Sequence, residues 1–76
     1  MTIVQINNQP QVLLHDVDFD NAILFQRRIS VWQQGKCVEY CGTVEKFTET
    51  SVIIRKSSPG KCDAYFLREF SEFRVE

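Results

Sequence analysis

The sequence predicts a mainly β protein: a small, strongly bent antiparallel barrel with a possible short helix or helical turn before it. Three observations lead to this fold class. The chain has 76 residues, the size of one domain. From residue 27 onward it is a series of short apolar segments separated by polar turns, as in small barrels and sandwiches. Gly42 lies inside the longest alternating segment, where a small barrel needs a sharp bend.

The N-terminal part has a mixed pattern. The segment Thr2–Leu14 predicts a hairpin, because two aliphatic runs flank the polar stretch NNQPQ. The segment Asp20–Arg28 predicts either a short helix, with Asp20 as its N-cap, or a strand that runs into the barrel. We therefore expect a single domain over residues 1–76, with an acidic leader at 1–21 and the barrel at 22–76.

Each barrel strand is predicted from alternation or from a β-branched run, and the turns from their glycine, proline and polar residues. Closure into a barrel would remove the exposed edges of so small a sheet. The final segment, Arg68–Glu76, suits one helical turn and then a short closing strand. The predicted strands are Arg27–Trp32, Cys37–Phe47, Val52–Lys56 and Cys62–Leu67, and the predicted turns are Gln33–Lys36 and Ser57–Lys61.

Charge and composition narrow the classes of partner. The net charge is −1, which argues against a strongly electrostatic nucleic-acid binder. All nine Lys and Arg residues lie from Arg27 onward, so the barrel is mildly basic and the leader is acidic. There is no run of about 18 apolar residues and no secretory pattern at the N-terminus, so we expect no membrane partner. Three cysteines, an odd number, are typical of the reducing cytoplasm.

The stretch HDVDFDN, residues 15–21, raises the question of a metal site. An EF-hand calcium loop places glycine at its sixth position and glutamate at its twelfth. Counting from Asp16, these positions hold Asn21 and Arg27. We therefore expect no metal site here, but a half-buried extended segment with its acids in water. The cysteines are not spaced as zinc ligands, and we expect them to be small buried hydrophobic residues.

No catalytic constellation is visible, so the chain is not expected to be an enzyme. His15 stands beside Asp16, but the sequence nominates no nucleophile or substrate pocket near it. Phosphate-binding glycine loops and the common hydrolase and metalloprotease motifs are absent from the sequence. We predict no catalytic residues, no cofactor and no small-molecule substrate.

Two segments, CGTVEKFTETSVIIR and YFLREFSEFRV, resemble the Sm-like fold, especially its bacterial Hfq branch. The first motif is a glycine, an aliphatic residue two positions later, a phenylalanine at a bend, a polar loop and an aliphatic strand. Here these are Gly42, Val44, Phe47, Thr48–Ser51 and Val52–Ile54. The resemblance covers residues 28–75 and implies a helix followed by a bent five-stranded barrel; an SH3-like barrel has a similar pattern.

The resemblance also implies RNA binding, but the contact positions differ. The family's loop begins with an aspartate and carries an aromatic or asparagine that contacts bases, whereas this chain has Thr48, Thr50 and Ser51 there. Base stacking contributes about 1–3 kcal/mol per base, and threonine supplies almost none of it. The Hfq lysine–histidine pair falls on Leu67 and Arg68, of which Arg68 keeps a charge.

Two functions from different classes remain, with a metal-dependent enzyme as a minor alternative. The first is a non-catalytic binding or regulatory module whose partner is a protein or a second copy of the chain. The second is an Sm-like, RNA-binding oligomer. We expect the phenylalanines Phe47, Phe66, Phe70 and Phe73 to be core residues, whereas Trp32 and Tyr40 fit either the core or a binding face. The candidate binding residues are Trp32, Tyr40, Arg55, Lys56 and Arg68.

Overall fold

The computed structural model describes residues 11–56 and 62–76, and this part of the chain is mainly β, as predicted. Six antiparallel strands form one sheet in the order β1-β6-β2-β3-β4-β5. One helix precedes β2, and a single 3₁₀ turn, Arg68–Phe70, joins β5 to β6. The elements are β1 (Val12–Leu13), α1 (Asp16–Leu24), β2 (Arg28–Gln33), β3 (Lys36–Phe47), β4 (Ser51–Arg55), β5 (Asp63–Leu67) and β6 (Glu72–Val75).

The sheet is open rather than closed into the predicted barrel. Strands β1 and β5 are its two edges, and within the described residues no ladder joins one to the other. The strands predicted from alternation are otherwise found within one or two residues of their expected bounds, and so is the turn at Gln34 and Gly35. The predicted turn Ser57–Lys61 and most of the predicted hairpin Thr2–Leu14 lie outside the described residues.

Strand β3 is twelve residues long and bends near its middle. Cys41 has a φ of 61°, and the β2–β3 register shifts between Ile29, which pairs with Gly42, and Val31, which pairs with Glu39. A Cβ atom built on Gly42 would come within 2.3 Å of Cγ2 of Ile54 on β4. Glycine is therefore needed here for close approach of the two strands, at the bend that the sequence predicts.

The core lies between one face of the sheet and helix α1. Phe19 of the helix is 1% exposed and contacts Phe73 edge-on, with ring centroids 5.5 Å apart, and Phe47 at 5.4 Å. Offset and edge-to-face aromatic contacts of this kind stabilise a core beyond the area they bury. The buried apolar residues of this cluster are Leu13, Phe19, Ala22, Ile29, Val31, Val44, Val52, Ile54 and Phe73.

Two predictions about buried residues are wrong. Phe70, expected in the core, is 64% exposed on the 3₁₀ turn. Cys37 and Cys62 are exposed as well, and Cys41 is half-buried, so the cysteines are not core residues as a group. Phe70 is expected in the core only because aromatic residues of a small domain usually are, whereas it lies on the 3₁₀ turn between β5 and β6.

The segment Asp16–Asp20 is helical, and the prediction of an extended segment there is wrong. Helix α1 begins after His15, not at Asp20. One carboxylate oxygen of Asp18 accepts hydrogen bonds from the backbone N–H of Leu14 at 3.0 Å and of His15 at 2.9 Å. Asp18 thus binds amides at the start of the helix, where donors lack intrahelical partners. Asp16 and Asp18 both lie in the first turn of this helix.

Helix α1 ends at a residue in the left-handed backbone conformation, which the sequence pattern does not predict. Gln26 has a φ of 51°, and Arg27 donates its backbone N–H to Ala22 O at 2.9 Å. Gln26 donates likewise to Ile23 O at 3.2 Å. These two bonds are a Schellman-type helix end, which turns the chain into β2.

We expect Asp18→Asn to lower thermal stability at neutral pH. The hydrogen bonds from the amides of His15 and Leu14 lower the pKa of the Asp18 carboxyl. The stability it contributes is therefore present above the ordinary carboxyl pKa and is lost as pH falls through the lowered value. The difference in melting temperature between wild type and Asp18→Asn, followed by circular dichroism, should shrink from pH 7 toward about pH 2.

Asp20→Asn is the matched control for this experiment, because Asp20 lies exposed on the same helix and no described hydrogen bond involves its side chain. If both variants lower the melting temperature equally at pH 7, the cause would be the loss of a negative charge near the helix N-terminus, not the loss of the hydrogen bonds that Asp18 accepts.

Candidate functional site

Strand β5 leaves one side of its backbone unpaired within the described residues. It is the last strand in the order of the sheet and pairs only with β4, from Ser51 opposite Leu67 to Arg55 opposite Asp63. An edge strand presents a row of N–H and C=O groups on which another extended chain can add. This edge is the candidate functional site, which we call the β5 edge (Asp63–Leu67).

The hydrogen-bond pattern decides which residues of β5 face outward. Lys56 donates its backbone N–H to Cys62 O at 3.3 Å, and Arg68 donates to Thr50 O at 2.8 Å. In an antiparallel ladder, residues that bond to the neighbouring strand alternate with residues that do not. The backbone N–H and C=O groups of residues 62, 64, 66 and 68 therefore point toward β4. The backbone groups of Asp63, Tyr65 and Leu67 point away from the sheet.

The side chains beside this edge are apolar on both faces of the sheet. Tyr65 is 73% exposed and Leu67 is 51% exposed, on the face opposite the core. Tyr65 lies across from Ile53 of β4, which is only 5% exposed although it belongs to this outer face. On the core face, Phe66 packs against the buried cluster. An added strand would extend an apolar strip that Ile53 and Tyr65 already form.

The β5 edge lacks the features that usually prevent strand addition. Lysines, prolines and bulges protect natural edges, and the five residues Asp63–Leu67 contain none of them. The single charge of the strand is Asp63, at its first position. Its carboxylate lies 4.0 Å from Nε of Arg55, which also contacts both carboxylate oxygens of Glu45 at 2.8 and 2.9 Å.

The opposite edge of the sheet is much shorter. Strand β1 consists of Val12 and Leu13 and covers the outer side of β6, where Val75 donates its N–H to Gln11 O at 2.8 Å. Strand β6 is thus paired on both sides, with β1 and with β2. In the described part of the chain, β5 is the one long edge.

The sequence-predicted residue Trp32 lies on the other half of the sheet, where it is half-buried. The guanidinium of Arg74 stacks on its ring at 4.1 Å, and its indole N–H donates to the buried hydroxyl of Ser30 at 2.9 Å. Arg74 is also paired with Glu72. Because one face of the ring is covered by Arg74 and its N–H is bonded, Trp32 has a structural role in joining β2 to β6.

Tyr40, the second predicted aromatic, is 64% exposed on β3. The charges of neighbouring Cys41 and Glu76 raise the pKa of its phenol. Tyr40 lies near the bend of β3, two strands away from β5 in the sheet order. The structure therefore does not bring Trp32, Tyr40 and the β5 edge together.

Arg55 and Lys56 border one surface cleft of about 220 Å³, together with Arg28 and Thr43. Both predicted cations have acidic partners: Arg55 contacts Glu45 as described, and Nζ of Lys56 lies 3.7 Å from Glu39. These two residues line the same cleft, but their charges are already partly neutralised by Glu45 and Glu39.

Arg68 is held inside the fold rather than presented to a partner. Its side chain is 16% exposed and donates to Asp16 Oδ1 at 2.9 Å, Thr48 O at 2.7 Å and Leu14 O at 3.2 Å. The guanidinium also lies 4.6 Å from the ring centroid of Phe19. These contacts favour a structural role, joining α1 to the β3–β4 loop, over a role in RNA contact.

The loop Thr48–Ser51, for which the sequence resemblance implies base contacts, is stabilised by hydrogen bonds of its own hydroxyl groups. Oγ1 of Thr48 accepts the backbone N–H of Thr50 at 3.2 Å and of Ser51 at 3.1 Å, and it lies 2.9 Å from the Ser51 hydroxyl.

Within residues 11–56 and 62–76, no three His, Cys, Asp or Glu side chains are grouped closely enough to hold a metal ion. None of the described helices is long and apolar enough to span a lipid bilayer.

The residues of the β5 edge were not among the sequence candidates. The alternation of CDAYFL places Tyr65 and Leu67 on one face, which is the signal that could have identified them. Comparison with known proteins gives no further guide: no family model, no curated protein and no solved structure matches this chain.

Proposed function

We propose that this protein is a non-catalytic binding module that contacts an extended segment of another protein chain by strand addition at the β5 edge. The observation that carries the proposal is the outward row of backbone groups at Asp63, Tyr65 and Leu67, with apolar side chains beside it. In this mode of recognition, main-chain hydrogen bonds supply affinity and alternate side chains supply specificity. Within the described residues, no other strand pairs with these outward backbone groups.

Two substitutions at Tyr65 separate the contribution of backbone pairing from that of side-chain contact. Tyr65→Pro removes one outward N–H and leaves the ladder to β4 intact, because prolines are tolerated on the open side of an edge strand. Tyr65→Ala removes the same side chain and keeps the N–H. On an array of peptides with alternating apolar and polar residues, we expect wild type to bind and Tyr65→Pro to bind at least about tenfold more weakly than Tyr65→Ala.

Circular dichroism and urea unfolding are the control for folding in this experiment, since both variants lack the tyrosine ring opposite Ile53. Binding of the array peptides by Tyr65→Pro as tightly as by Tyr65→Ala would refute strand addition at this edge.

An Sm-like, RNA-binding oligomer is the second candidate. The order of elements supports it, because a helix is followed by a six-residue strand, a long bent strand, two short strands, a 3₁₀ turn and a closing strand. The cleft formed by Arg28, Arg55 and Lys56 would then contact phosphates. Fluorescence anisotropy with a mixed oligoribonucleotide tests this candidate: affinity should fall with salt and in the variant Arg55→Gln/Lys56→Gln.

A further inference from the structure

We infer that the segment that adds to the β5 edge is β5 of a second copy of this chain, paired antiparallel about a two-fold axis at Tyr65. The inference rests on the proposed function and identifies the partner. The two six-stranded sheets become one continuous sheet across this axis.

The β5 edge is complementary to itself. Its outward backbone groups lie at Asp63, Tyr65 and Leu67, evenly spaced on either side of Tyr65. A two-fold axis through Tyr65 places the two Tyr65 residues opposite each other and Asp63 opposite Leu67 of the second copy. Each of these pairs can exchange two N–H···O bonds, so about six new bonds form. Every outward group of the strand then has a partner.

Charge favours this register over the one centred on Asp63. A register with the two Asp63 residues opposite each other would bring like charges together at the centre of the interface, which is unfavourable. The Tyr65-centred register separates the two carboxylates by four residues along the strands, about 13 Å. On the core face it places the small Ala64 beside Phe66 of the second copy. These two side chains complement each other in size.

The lengths of the two sheet edges favour a two-fold dimer over a ring. Head-to-tail assembly joins two different surfaces, which here are the β5 edge and β1. Strand β1 has two residues, Val12 and Leu13, whereas β5 has five. A two-fold contact uses the long edge of both copies, so it forms more backbone bonds than β5 paired with β1.

The size of the interface predicts a weak dimer. Besides the backbone, each copy contributes mainly Tyr65, 73% exposed, and Leu67, 51% exposed. Two aromatic and two aliphatic side chains together with two strand edges cover several hundred Å², below the roughly 1,200 Å² of a standard stable interface. We therefore expect dissociation constants between about 10 μM and 1 mM.

The test uses the wild-type chain first. Sedimentation equilibrium from about 10 μM to 1 mM should show a monomer–dimer equilibrium. Amide exchange measured by NMR over the same range should show increasing protection of Tyr65 and Leu67, while Ala64, which bonds to β4, is equally protected throughout. A monomer at every concentration, or a dimer in which the Tyr65 amide still exchanges freely, would overturn the inference.

Cross-linking tests the register. With the three native cysteines replaced by serine, Tyr65→Cys should form a disulfide-linked dimer by itself, because opposed bonded residues have Cα atoms about 5.5 Å apart. Asp63→Cys and Leu67→Cys should each stay monomeric alone and cross-link when mixed. Efficient self-linking of Asp63→Cys would overturn the Tyr65-centred register.

The inference and the proposed function fail in different ways. A chain that stays monomeric but loses peptide binding in Tyr65→Pro would refute the second copy as partner and keep the β5 edge as a binding site. A monomer whose peptide binding is indifferent to Tyr65→Pro would refute both.

Discussion

Arg68→Met is expected to destabilise the domain by about 2–4 kcal/mol, the largest loss among the substitutions proposed for this chain. The guanidinium satisfies the backbone carbonyls of Leu14 and Thr48 and stacks against Phe19. Methionine fills part of the same volume but donates no hydrogen bond, so both carbonyls lose their partner. Urea unfolding followed by tryptophan fluorescence measures the loss, because Trp32 is the one tryptophan of the chain.

Two further variants separate the contributions of Arg68. Asp16→Asn removes the ion pair and should cost less than about 1 kcal/mol, because the Asp16 side chain is 66% exposed and exposed ion pairs contribute little. Arg68→Lys keeps the charge but cannot span three acceptors. Its loss of stability should therefore lie between those of Arg68→Met and Asp16→Asn. Arg68→Met as stable as wild type would show that the carbonyls are hydrated instead, and would return Arg68 to the candidates for RNA contact.

The strands could be predicted from the sequence because each has its own local signal. The β-branched run at β4 and the glycine turn at Gly35 need no knowledge of the rest of the chain. Closure of the sheet is different, since it depends on whether the first and last strands meet. The sequence predicts that meeting from the size of the domain and the bend at Gly42, and the sheet instead ends at β1 and β5.

The helix was misassigned because two periods coincide over a short segment. In DVDFDN, acids at alternate positions are typical of a half-buried strand, but Phe19 and Ala22 are also three residues apart and form the buried side of α1. Asp18, three residues after His15, is a helix-start signal that outweighs the alternation. The sequence predicts a cap at Asp20, two residues beyond the carboxylate that accepts the amides at the helix start.

The candidate site could be predicted only in part. The sequence predicts binding residues from their aromatic or basic side chains alone. In the structure, Trp32 and Arg68 pack and form hydrogen bonds within the fold. The β5 edge depends on strand order, which long-range pairing determines and no local pattern reveals. Tyr65 is visible in the sequence as an aromatic on a strand, but that its strand is an edge is a property of the whole sheet.

Gly42→Ala is expected to cost about 1–3 kcal/mol, as overpacking at a close strand contact does. The new Cβ would lie 2.3 Å from Cγ2 of Ile54 and 3.1 Å from the backbone oxygen of Arg55, so β3 and β4 must separate where the sheet bends. Gly35→Ala is the matched control, because its Cβ would meet nothing within 4 Å. Its cost, about 1 kcal/mol, comes only from the φ of +77°.

A double-mutant cycle with Ile54→Leu identifies the cause. Leucine keeps the volume of isoleucine but carries no branch at Cβ, so it removes the clashing Cγ2 atom and should by itself cost less than about 1.5 kcal/mol. Gly42→Ala combined with Ile54→Leu should therefore be more stable than the sum of the two single changes predicts, by at least about 0.5 kcal/mol. Gly35→Ala combined with Ile54→Leu should be additive. Additivity in both cycles would place the cost of Gly42→Ala at the Arg55 carbonyl, and the bend of β3 would then depend on backbone contact alone.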